Sequence, residues 1–405
     1  MKYLFLMVAA LPFLCSCRHH KEDEPEKKVA EQTILVYIAA DNNLSKFVSD
    51  DIRQMIEASK TMKSNENLIL FVDQTNTRPY IAKVSDGDTT HVLHYTEELK
   101  TSDAETMRMA LEWTMENYEA RHYGLILWGH ADGWIIKEDA ASSRPKHAYA
   151  QDLTGKEQWM NIPDMARALE SLPTGDNGKL LRFIFADCCC FQSVESAYEL
   201  RNCTDYIIAS AAEIPGEGAP YHTVVPALFS QSDDFANQAV DAYYEQVSIG
   251  YQEPLSVVKT SELDNLAQAT RTVLAQNLRP LSEGYPDMSG MIYYFQHSLF
   301  DMNDFILRNA TDANYTEWKR VFSQAVPYSK MTTVWMANFV PYLDSKGTLF
   351  RDFDVTEEHY GGVSMFVPQD PETVSYSYRS LIEKQNQNIR KMQWYNATGL
   401  EALGW

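Results

Sequence analysis

Positive charge is scarce in this chain of 405 residues, which carries 35 lysines and arginines against 56 aspartates and glutamates. The formal charge of -21 argues against a nucleic acid or an anionic membrane surface as a partner. An acidic surface would favour basic substrates, although solubility alone is the simpler account of the net charge. Hydrophobic residues make up 45% of the chain and charged residues 22%, so we expect a globular protein with one large or two modest domains.

Cysteines are also few, and the six that are present do not spread along the chain. Cys15 and Cys17 lie near the N-terminus, and the other four lie between positions 188 and 203. This clustering excludes the disulfide framework of a small secreted domain. The compartment is expected to be oxidising, so a disulfide between Cys203 and either Cys188 or Cys190 stays open.

Several patterns typical of cofactor-dependent proteins are missing. The chain has no internal repeat, no glycine-rich loop for phosphate and no Cys/His spacing of the zinc type. No cofactor is therefore expected, and a requirement for calcium is not readable from the sequence.

The N-terminus is typical of a secretory signal peptide, which would comprise residues 1–16. Lys2 precedes an apolar run from Tyr3 to Leu14, which is too short to anchor the mature protein across a bilayer. The sequence LCSC at positions 14–17 resembles a bacterial lipobox, which implies cleavage before Cys17 and acylation of its thiol. An ordinary signal peptide with incidental cysteines is the alternative.

Residues 17–30 are mainly polar and charged, and they are predicted to be a flexible tether. The run KEDE at positions 21–24 is of the acidic kind that accompanies export to the outer face in some Gram-negative lipoproteins, although a solvated linker would look the same. We therefore predict an outer-membrane lipoprotein of the cell envelope, which contacts the membrane only through its lipid. Exposure on the cell surface rests on the acidic run alone.

Strand patterns alternate with helical patterns between residues 31 and 230. The apolar runs predict buried strands, and Ser102 with Glu105 predicts a capping box for a helix that ends near Tyr118. Residues 135–160 are polar and are predicted to form a long surface loop. The alternation predicts an α/β fold with a mostly parallel sheet and helices on both faces. The predicted strands are residues 33–40, 68–72, 80–84, 91–95, 125–128, 183–186 and 206–210.

Residues 231–405 have a mainly helical pattern instead. One added strand is predicted at residues 362–368. The pattern shows no long linker, so we expect this part to pack against the sheet as a helical subdomain. The predicted helices are residues 234–248, 261–276, 314–324 and 375–391.

Reactive side chains follow two of the predicted strands. His130 comes after the strand at 125–128, and Asp187 with three consecutive cysteines comes after the strand at 183–186. Groups at the carboxyl ends of parallel strands meet at the edge of the sheet where α/β enzymes bind ligands. An imidazole can take the proton of a thiol and return it to a leaving amine, so the pattern predicts a nucleophile and its base. The structural alternatives are a hydrogen-bonded histidine, a cysteine packed as a small hydrophobe, and an aspartate that caps a helix.

These segments, in this order, resemble the clostripain family of cysteine peptidases, relatives of the caspases, gingipains and legumains. The segment YIAADNNL at 37–44 resembles the family's first strand and the turn after it. The segment YGLILWGHADGW at 123–134 resembles the family's histidine motif, and residues 185–200 resemble its cysteine motif. Segments at 208–221, 361–368 and 394–405 extend the resemblance over nearly the whole mature chain. The resemblance implies a caspase-like fold and a cysteine endopeptidase that cleaves peptides and proteins after Arg or Lys. Together with the signal peptide and the lipobox, it leads us to expect a secreted, lipid-anchored monomer.

The resemblance also assigns roles at the strand ends. Counting back from Ser193 places the nucleophile at Cys189, with His130 as its base. The backbone N–H groups of Ala131 and Cys189 would stabilise the oxyanion. Asp187, which shares a face of the strand with Cys189, would bind the basic substrate side chain.

Residues around the predicted site extend this assignment and also depart from the family pattern. Glu213 or Glu217, beyond the next strand, would add a second acid to the substrate pocket. Ala131 stands where the family has glycine, and Cys188 stands where it has alanine. These departures motivate an alternative function, that of a catalytically silent lipoprotein with this fold that acts as a binding or scaffold module.

The polar segment between the two motifs is a candidate for self-processing. Some family members are zymogens that cleave themselves after a basic residue in this region, and the segment carries Lys137, Arg144, Lys146 and Lys156. Arg144 precedes Pro145, which is a poor residue on the carboxyl side of a cleaved bond. Lys146 is therefore the predicted self-cleavage residue, and a loop that only covers the cleft is the alternative.

Overall fold

The computed structural model describes residues 29–136, 148–153, 157–175, 178–245, 253–295, 298–337, 340–341, 353–374 and 376–405. The predicted signal peptide, the predicted lipidation residue Cys17 and the predicted cleavage residue Lys146 lie outside these ranges. Within them, no helix is both long enough and apolar enough to cross a membrane.

A large sheet forms the centre of the described chain. The strands of this and three smaller sheets are β1 (Ala30–Ala40), β2 (Glu66–Gln74), β3 (Tyr80–Ser85), β4 (Asp88–His94), β5 (Ala120–Gly129), β6 (Tyr149–Asp152), β7 (Gln158–Met160), β8 (Leu181–Asp187), β9 (Thr204–Ser210), β10 (Leu255–Lys259), β11 (Phe300–Asp301), β12 (Tyr328–Lys330), β13 (Met336–Ala337), β14 (Val340–Pro341) and β15 (Ser364–Met365). The large sheet has the order β12-β10-β9-β8-β5-β1-β2-β3-β4. Its inner strands from β9 to β2 are parallel, and antiparallel strands flank them at both edges. The predicted mostly parallel sheet is confirmed.

Helices cover both faces of this sheet. They are α1 (Val48–Ser59), α2 (Ala104–Asn117), α3 (Ile162–Glu170), α4 (Val194–Glu199), α5 (Tyr221–Leu228), α6 (Phe235–Tyr244), α7 (Leu263–Asn277), α8 (Met302–Asn309), α9 (Asp312–Ala325), α10 (Tyr376–Asn388) and α11 (Gln393–Thr398). Because side chains alternate across a strand, Val36 and Ile38 of β1 pack in one core with α1, α5 and α6. Leu35 and Tyr37 pack in a second core with α2, α3, α4 and the helices that follow β10. The predicted arrangement of helices on both faces is therefore confirmed.

The C-terminal part contributes more strands to the sheet than the sequence predicts. β10 pairs with β9, and β12 pairs with β10, both in antiparallel register. These strands are only 5 and 3 residues long, so their periodicity is too short to stand out. The strand predicted at 362–368 is reduced to β15, which pairs with β11. The N–H of Ser364 also donates to the carbonyl of Gln192 at 3.0 Å, which fixes this segment beside the start of α4.

Two local predictions were wrong. The capping box at Ser102 is replaced by Asp103, whose carboxylate accepts a hydrogen bond from the Glu105 N–H at 3.0 Å, so α2 begins at Ala104. Aspartate is as good a cap as serine, and Asp103 has the extended backbone that a cap requires. The segment predicted as a loop at 135–160 contains the antiparallel pair β6 and β7, and Tyr149 within it is completely buried.

Candidate active site

The parallel pairing of β5 with β8 brings the two sequence motifs together. Trp128 and Asp187 are register partners, and His130 and Cys189 each follow two residues later. His130, Asp187 and Cys189 line one pocket of about 190 Å³. The turn after β1 and the loop at 214–218 form the other walls. The pocket therefore lies at the carboxyl edge of the parallel strands, where such folds bind their ligands.

The three consecutive cysteines differ in their access to this pocket. Cys189 is partly exposed and lines the pocket, whereas Cys188 and Cys190 are buried, at 1% and 0% exposure. The N–H of Ile214 approaches the Cys189 Sγ to 3.4 Å. All four cysteines of the described chain are free, so the disulfide left open for Cys203 is not present. Of the three thiols, Cys189 is the one placed to meet a substrate.

The environment of Cys189 favours the protonated thiol. Burial, followed by the negative charge of Glu213, raises the pKa of Cys189 to about 12, and the hydrogen bond from Ile214 opposes this rise. A thiol in this state needs a neighbouring base before it can attack a carbonyl carbon.

The imidazole of His130 is held by a residue that the sequence interpretation did not single out. Its Nε2 lies 2.6 Å from the Oδ1 of Asn43, in the turn after β1. In the tautomer in which Nε2–H donates to Asn43, Nδ1 is the basic nitrogen. The signal available in the sequence is that Asn43 follows a parallel strand, at the same edge of the sheet as His130.

A short antiparallel pairing orients the backbone after His130. The N–H of Asp132 donates to the Ala148 carbonyl at 2.9 Å, and the N–H of Ala150 donates to the His130 carbonyl at 3.0 Å. Ala131 and Tyr149 face each other between these bonds, so the Ala131 N–H takes no part in the pairing and is directed to the opposite side.

Gly133 brings the histidine loop against the cysteine loop. Its φ is +65°, and a Cβ atom there would lie 2.6 Å from the carbonyl oxygen of Cys190. A side chain at this position would be strained and would push the two loops apart.

Asp187 is a buried acid with an incomplete set of partners. It is 5% exposed, and its Oδ2 accepts hydrogen bonds from the Tyr221 hydroxyl at 2.6 Å and the Ala219 N–H at 3.0 Å. Its Oδ1 has no hydrogen-bond partner within the described residues. Burial raises the pKa of Asp187 to about 6, while the two hydrogen bonds act in the other direction. Asp187 does not cap the following helix, because Ser193 caps α4.

A second buried acid, Asp51 of α1, lies next to Asp187. Asp51 is 1% exposed, and its Oδ2 accepts a hydrogen bond from the Trp128 indole N–H at 2.8 Å. Burial, and then the charge of Asp187, raise the pKa of Asp51 to about 8. The sequence interpretation missed this residue, although it falls on the apolar face of α1 between Val48 and Met55. An acidic residue at a position of the apolar helix face is the feature of the sequence that could have marked Asp51 as a candidate site residue.

The two acids predicted beyond β9 take different positions. Glu213 is 2% exposed, and it is not among the residues that line the pocket. Glu217 is exposed and lies in the loop between Gly216 and Gly218, which both line the pocket. In the described part of the chain, no three His, Cys, Asp or Glu residues are grouped so that they could hold a metal ion.

Comparison with known proteins identifies the family. The model of the clostripain family matches residues 36–400, so the chain belongs to the clostripain family and is a cysteine endopeptidase. The family, fold class and enzyme class predicted from the sequence are confirmed. No curated protein matches the chain.

Solved structures agree with this assignment. A secreted C11 cysteine protease from Bacteroides thetaiotaomicron, in complex with an irreversible peptide inhibitor, is 28% identical, with a TM-score of 0.74 over 92% of this chain and 100% of that one. An inactive zymogen of a C11 protease from Parabacteroides distasonis is 26% identical, with a TM-score of 0.74 over 92% of this chain and 99% of that one. A second secreted protease from B. thetaiotaomicron, iotapain, shares the fold at 20% identity, with a TM-score of 0.70 over 92% of this chain and 99% of that one.

Proposed function

We propose that this endopeptidase cleaves proteins and peptides after Arg or Lys, with Cys189 as nucleophile and His130 as base. The observation that carries the proposal is the buried Asp187 carboxylate, which shares a pocket with both residues and leaves Oδ1 without a partner in the described chain. A buried carboxylate without a full set of partners is costly. A guanidinium or ammonium group of the substrate would offset that cost by pairing with Asp187.

The proposed reaction uses His130, Cys189 and the backbone N–H groups next to them. His130 takes the proton of the Cys189 thiol as the sulfur attacks the scissile carbonyl carbon. The backbone N–H groups of Ala131 and Cys189 donate to the oxyanion that forms. His130 then returns the proton to the departing amine, and a water molecule hydrolyses the remaining thioester. Asn43 is a positioning residue in this scheme, because it holds the imidazole.

Anchoring and maturation form a second part of the proposal. The lipobox at residues 14–17 supports a lipoprotein of the outer membrane, attached through Cys17. A relative described as secreted supports export, and one described as an inactive zymogen supports activation by cleavage, for which we propose Lys146. The acidic tether supports exposure on the cell surface, and the mature protein is proposed to act as a monomer without a cofactor.

Fluorogenic peptides that differ only at the residue before the cleaved bond test the proposed specificity. The protein that lacks residues 1–17 should hydrolyse arginyl and lysyl peptides in the presence of reductant, and the alanyl peptide far more slowly. His130→Ala should abolish turnover, and a basic chloromethyl ketone should label Cys189. Absence of both turnover and labelling, with calcium also supplied, would favour the silent binding module.

A further inference from the structure

The two buried carboxylates lie close together beside Gly218: Asp187 lines the pocket, and Asp51 lies just beyond its lining residues. Gly218 lines the pocket with a φ of +63°, and a Cβ atom there would lie 2.7 Å from Asp187 Oδ2 and 3.4 Å from Asp51 Oδ2. Both carboxylate oxygens therefore pack closely against residue 218, and a side chain at this position would collide with Asp187. Trp128, another lining residue, donates its indole N–H to Asp51.

Neutral groups supply the hydrogen bonds that hold this pair. Asp187 is bonded by a hydroxyl and a backbone N–H, and Asp51 by the Trp128 indole and, more distantly, by Gln54 at 3.5 Å. No cationic side chain of the described residues forms an ion pair with either acid. The titratable groups around the pair are Asp50 on α1, Glu217 in the loop after β9, Tyr221 on α5, His222 on α5 through Gln54, Cys188 and Cys189 after β8, Tyr243 on α6, and Glu253 before β10.

We infer that Asp51 is a second carboxylate of the specificity pocket, which shares one proton with Asp187 while the pocket is empty and loses it when a basic side chain binds. The inference rests on the proposed function, since it requires a cationic substrate side chain. Two buried carboxylates that lie close together do not both ionise without a cation, because the second charge is repelled by the first. The proton leaves to solvent as the guanidinium or ammonium enters.

The sign of the pH dependence follows from this exchange. Burial and mutual repulsion raise the pKa of Asp51 to about 8 and burial raises that of Asp187 to about 6, so the empty pocket keeps its proton at neutral pH. A bound cation favours the doubly ionised pair. Affinity for a basic ligand should therefore rise with pH up to about 8 and then level off, while affinity for a neutral ligand should not follow this trend.

A matched pair of variants distinguishes the loss of the buried charge at Asp51 from the loss of an exposed negative charge at the neighbouring position of α1. Asp51→Asn keeps an oxygen that can accept from Trp128 but removes the charge. Asp50→Asn removes the same charge from the adjacent residue, whose side chain is 65% exposed and paired with Arg53. Arginyl and citrullinyl peptides are nearly isosteric, so the kcat/KM of the arginyl peptide divided by that of the citrullinyl peptide measures the preference for positive charge. This ratio should fall about tenfold in Asp51→Asn, because the KM of the arginyl peptide rises. Asp50→Asn should keep the wild-type ratio, because an exposed charge is screened.

Calorimetry with agmatine, a small guanidinium compound, measures the proton directly. Titration in two buffers of different ionisation enthalpy should show the wild-type protein releasing about one proton per agmatine near pH 7 and almost none at about pH 9. Asp51→Asn should release almost none at either pH. Circular dichroism and a melting temperature near that of the wild type would show that Asp51→Asn is folded. If it does not fold, the wild-type proton count still decides the question.

The outcomes distinguish the shared proton from the basic specificity on which it rests. A wild-type enzyme that does not prefer arginyl over citrullinyl peptides would contradict the basic specificity itself. A wild-type enzyme with that preference, but with no proton released on binding agmatine near neutral pH, would overturn only the shared proton. The shared proton would likewise be excluded if Asp51→Asn kept both the wild-type selectivity and the wild-type proton count.

Discussion

The Nε2 atom of His130 lies 2.6 Å from the Oδ1 atom of Asn43, although 87 residues separate the two in the chain. The contact exists because β1 and β5 are parallel neighbours, with Ala39 opposite Gly129. Each strand ends at the same edge of the sheet, and the turn after β1 then passes beside the residue that follows β5. The orientation of the imidazole is thus set by the sheet pairing and by one amide side chain.

Replacement of Asn43 by alanine should lower kcat by roughly 10–100-fold, because a base that is free to rotate is misaligned for much of the time. The KM for arginyl peptides should change little, since Asn43 is not among the acids of the pocket. Asn43 is exposed, so the melting temperature should also stay near that of the wild type. A change confined to KM would instead assign Asn43 to substrate binding.

Cys189→Ala should abolish turnover, while Cys188→Ala and Cys190→Ala should keep most of it. The reason is access, since Cys189 lines the pocket and the side chains of its neighbours lie in the core. Peptide hydrolysis and labelling by a basic chloromethyl ketone provide the two measurements. An active Cys189→Ala enzyme together with an inactive Cys188→Ala enzyme would shift the nucleophile by one position.

The protonation state of the Cys189 thiol in the free enzyme can be measured separately, by its rate of alkylation. Burial and the charge of Glu213 raise the pKa of Cys189 to about 12, so alkylation of the free enzyme by neutral iodoacetamide should accelerate with pH without a plateau up to about pH 9. A plateau near neutral pH would reveal a preformed thiolate.

Asp187→Asn should reduce the preference for arginyl and lysyl over alanyl peptides by more than about tenfold, because the charge that pairs with the substrate is removed. The amide can still accept hydrogen bonds from Tyr221 and Ala219, so the fold should survive. Glu217→Gln removes an exposed acid from the loop beside the pocket and should change this preference far less, because an exposed charge is screened. Unchanged selectivity in Asp187→Asn would place the specificity pocket elsewhere.

The sequence could predict the sheet and the edge at which the site lies. The second half of β5 and most of β8 are apolar runs, His130 follows β5 directly, and Cys189 comes two residues after β8. The contributions of Asn43 and Asp51 could not be derived in the same way. They depend on which strands become neighbours and on which face of α1 meets the sheet, and these are properties of the packed chain. The sequence pattern of α1 shows an acid among its apolar positions. It does not show that this acid bonds to Trp128, because the two are 77 residues apart in the chain.

Cys17→Ala should prevent the incorporation of labelled palmitate and release the protein from the membrane fraction. The prediction follows from the lipobox, because Cys17 would become the acylated first residue of the mature chain. Cys15→Ala, two residues earlier, should still be acylated and is the matched control. A Cys17→Ala protein that still incorporates palmitate would contradict the lipobox assignment.

Self-processing at Lys146 should cut the chain without separating its two parts. β5 lies before the cut and β8 after it, and these strands pair side by side in the sheet. After the cut, the segment at 148–150 would also stay bonded to residues 130–132, through Asp132 and Ala150. The active protein should therefore run as two bands on a denaturing gel and as one species on a sizing column.

Three variants test whether the enzyme makes this cut itself. Cys189→Ala should stay as one band, and Lys146→Ala should remain uncut with greatly reduced activity. Lys156→Ala, which replaces another lysine of the same sequence segment, should be processed as in the wild type. Addition of active enzyme should cut the Cys189→Ala protein but not a Lys146→Ala, Cys189→Ala double variant. An active enzyme that persists as a single uncut chain would exclude processing at this site, as would equally fast cleavage of purified Cys189→Ala on its own.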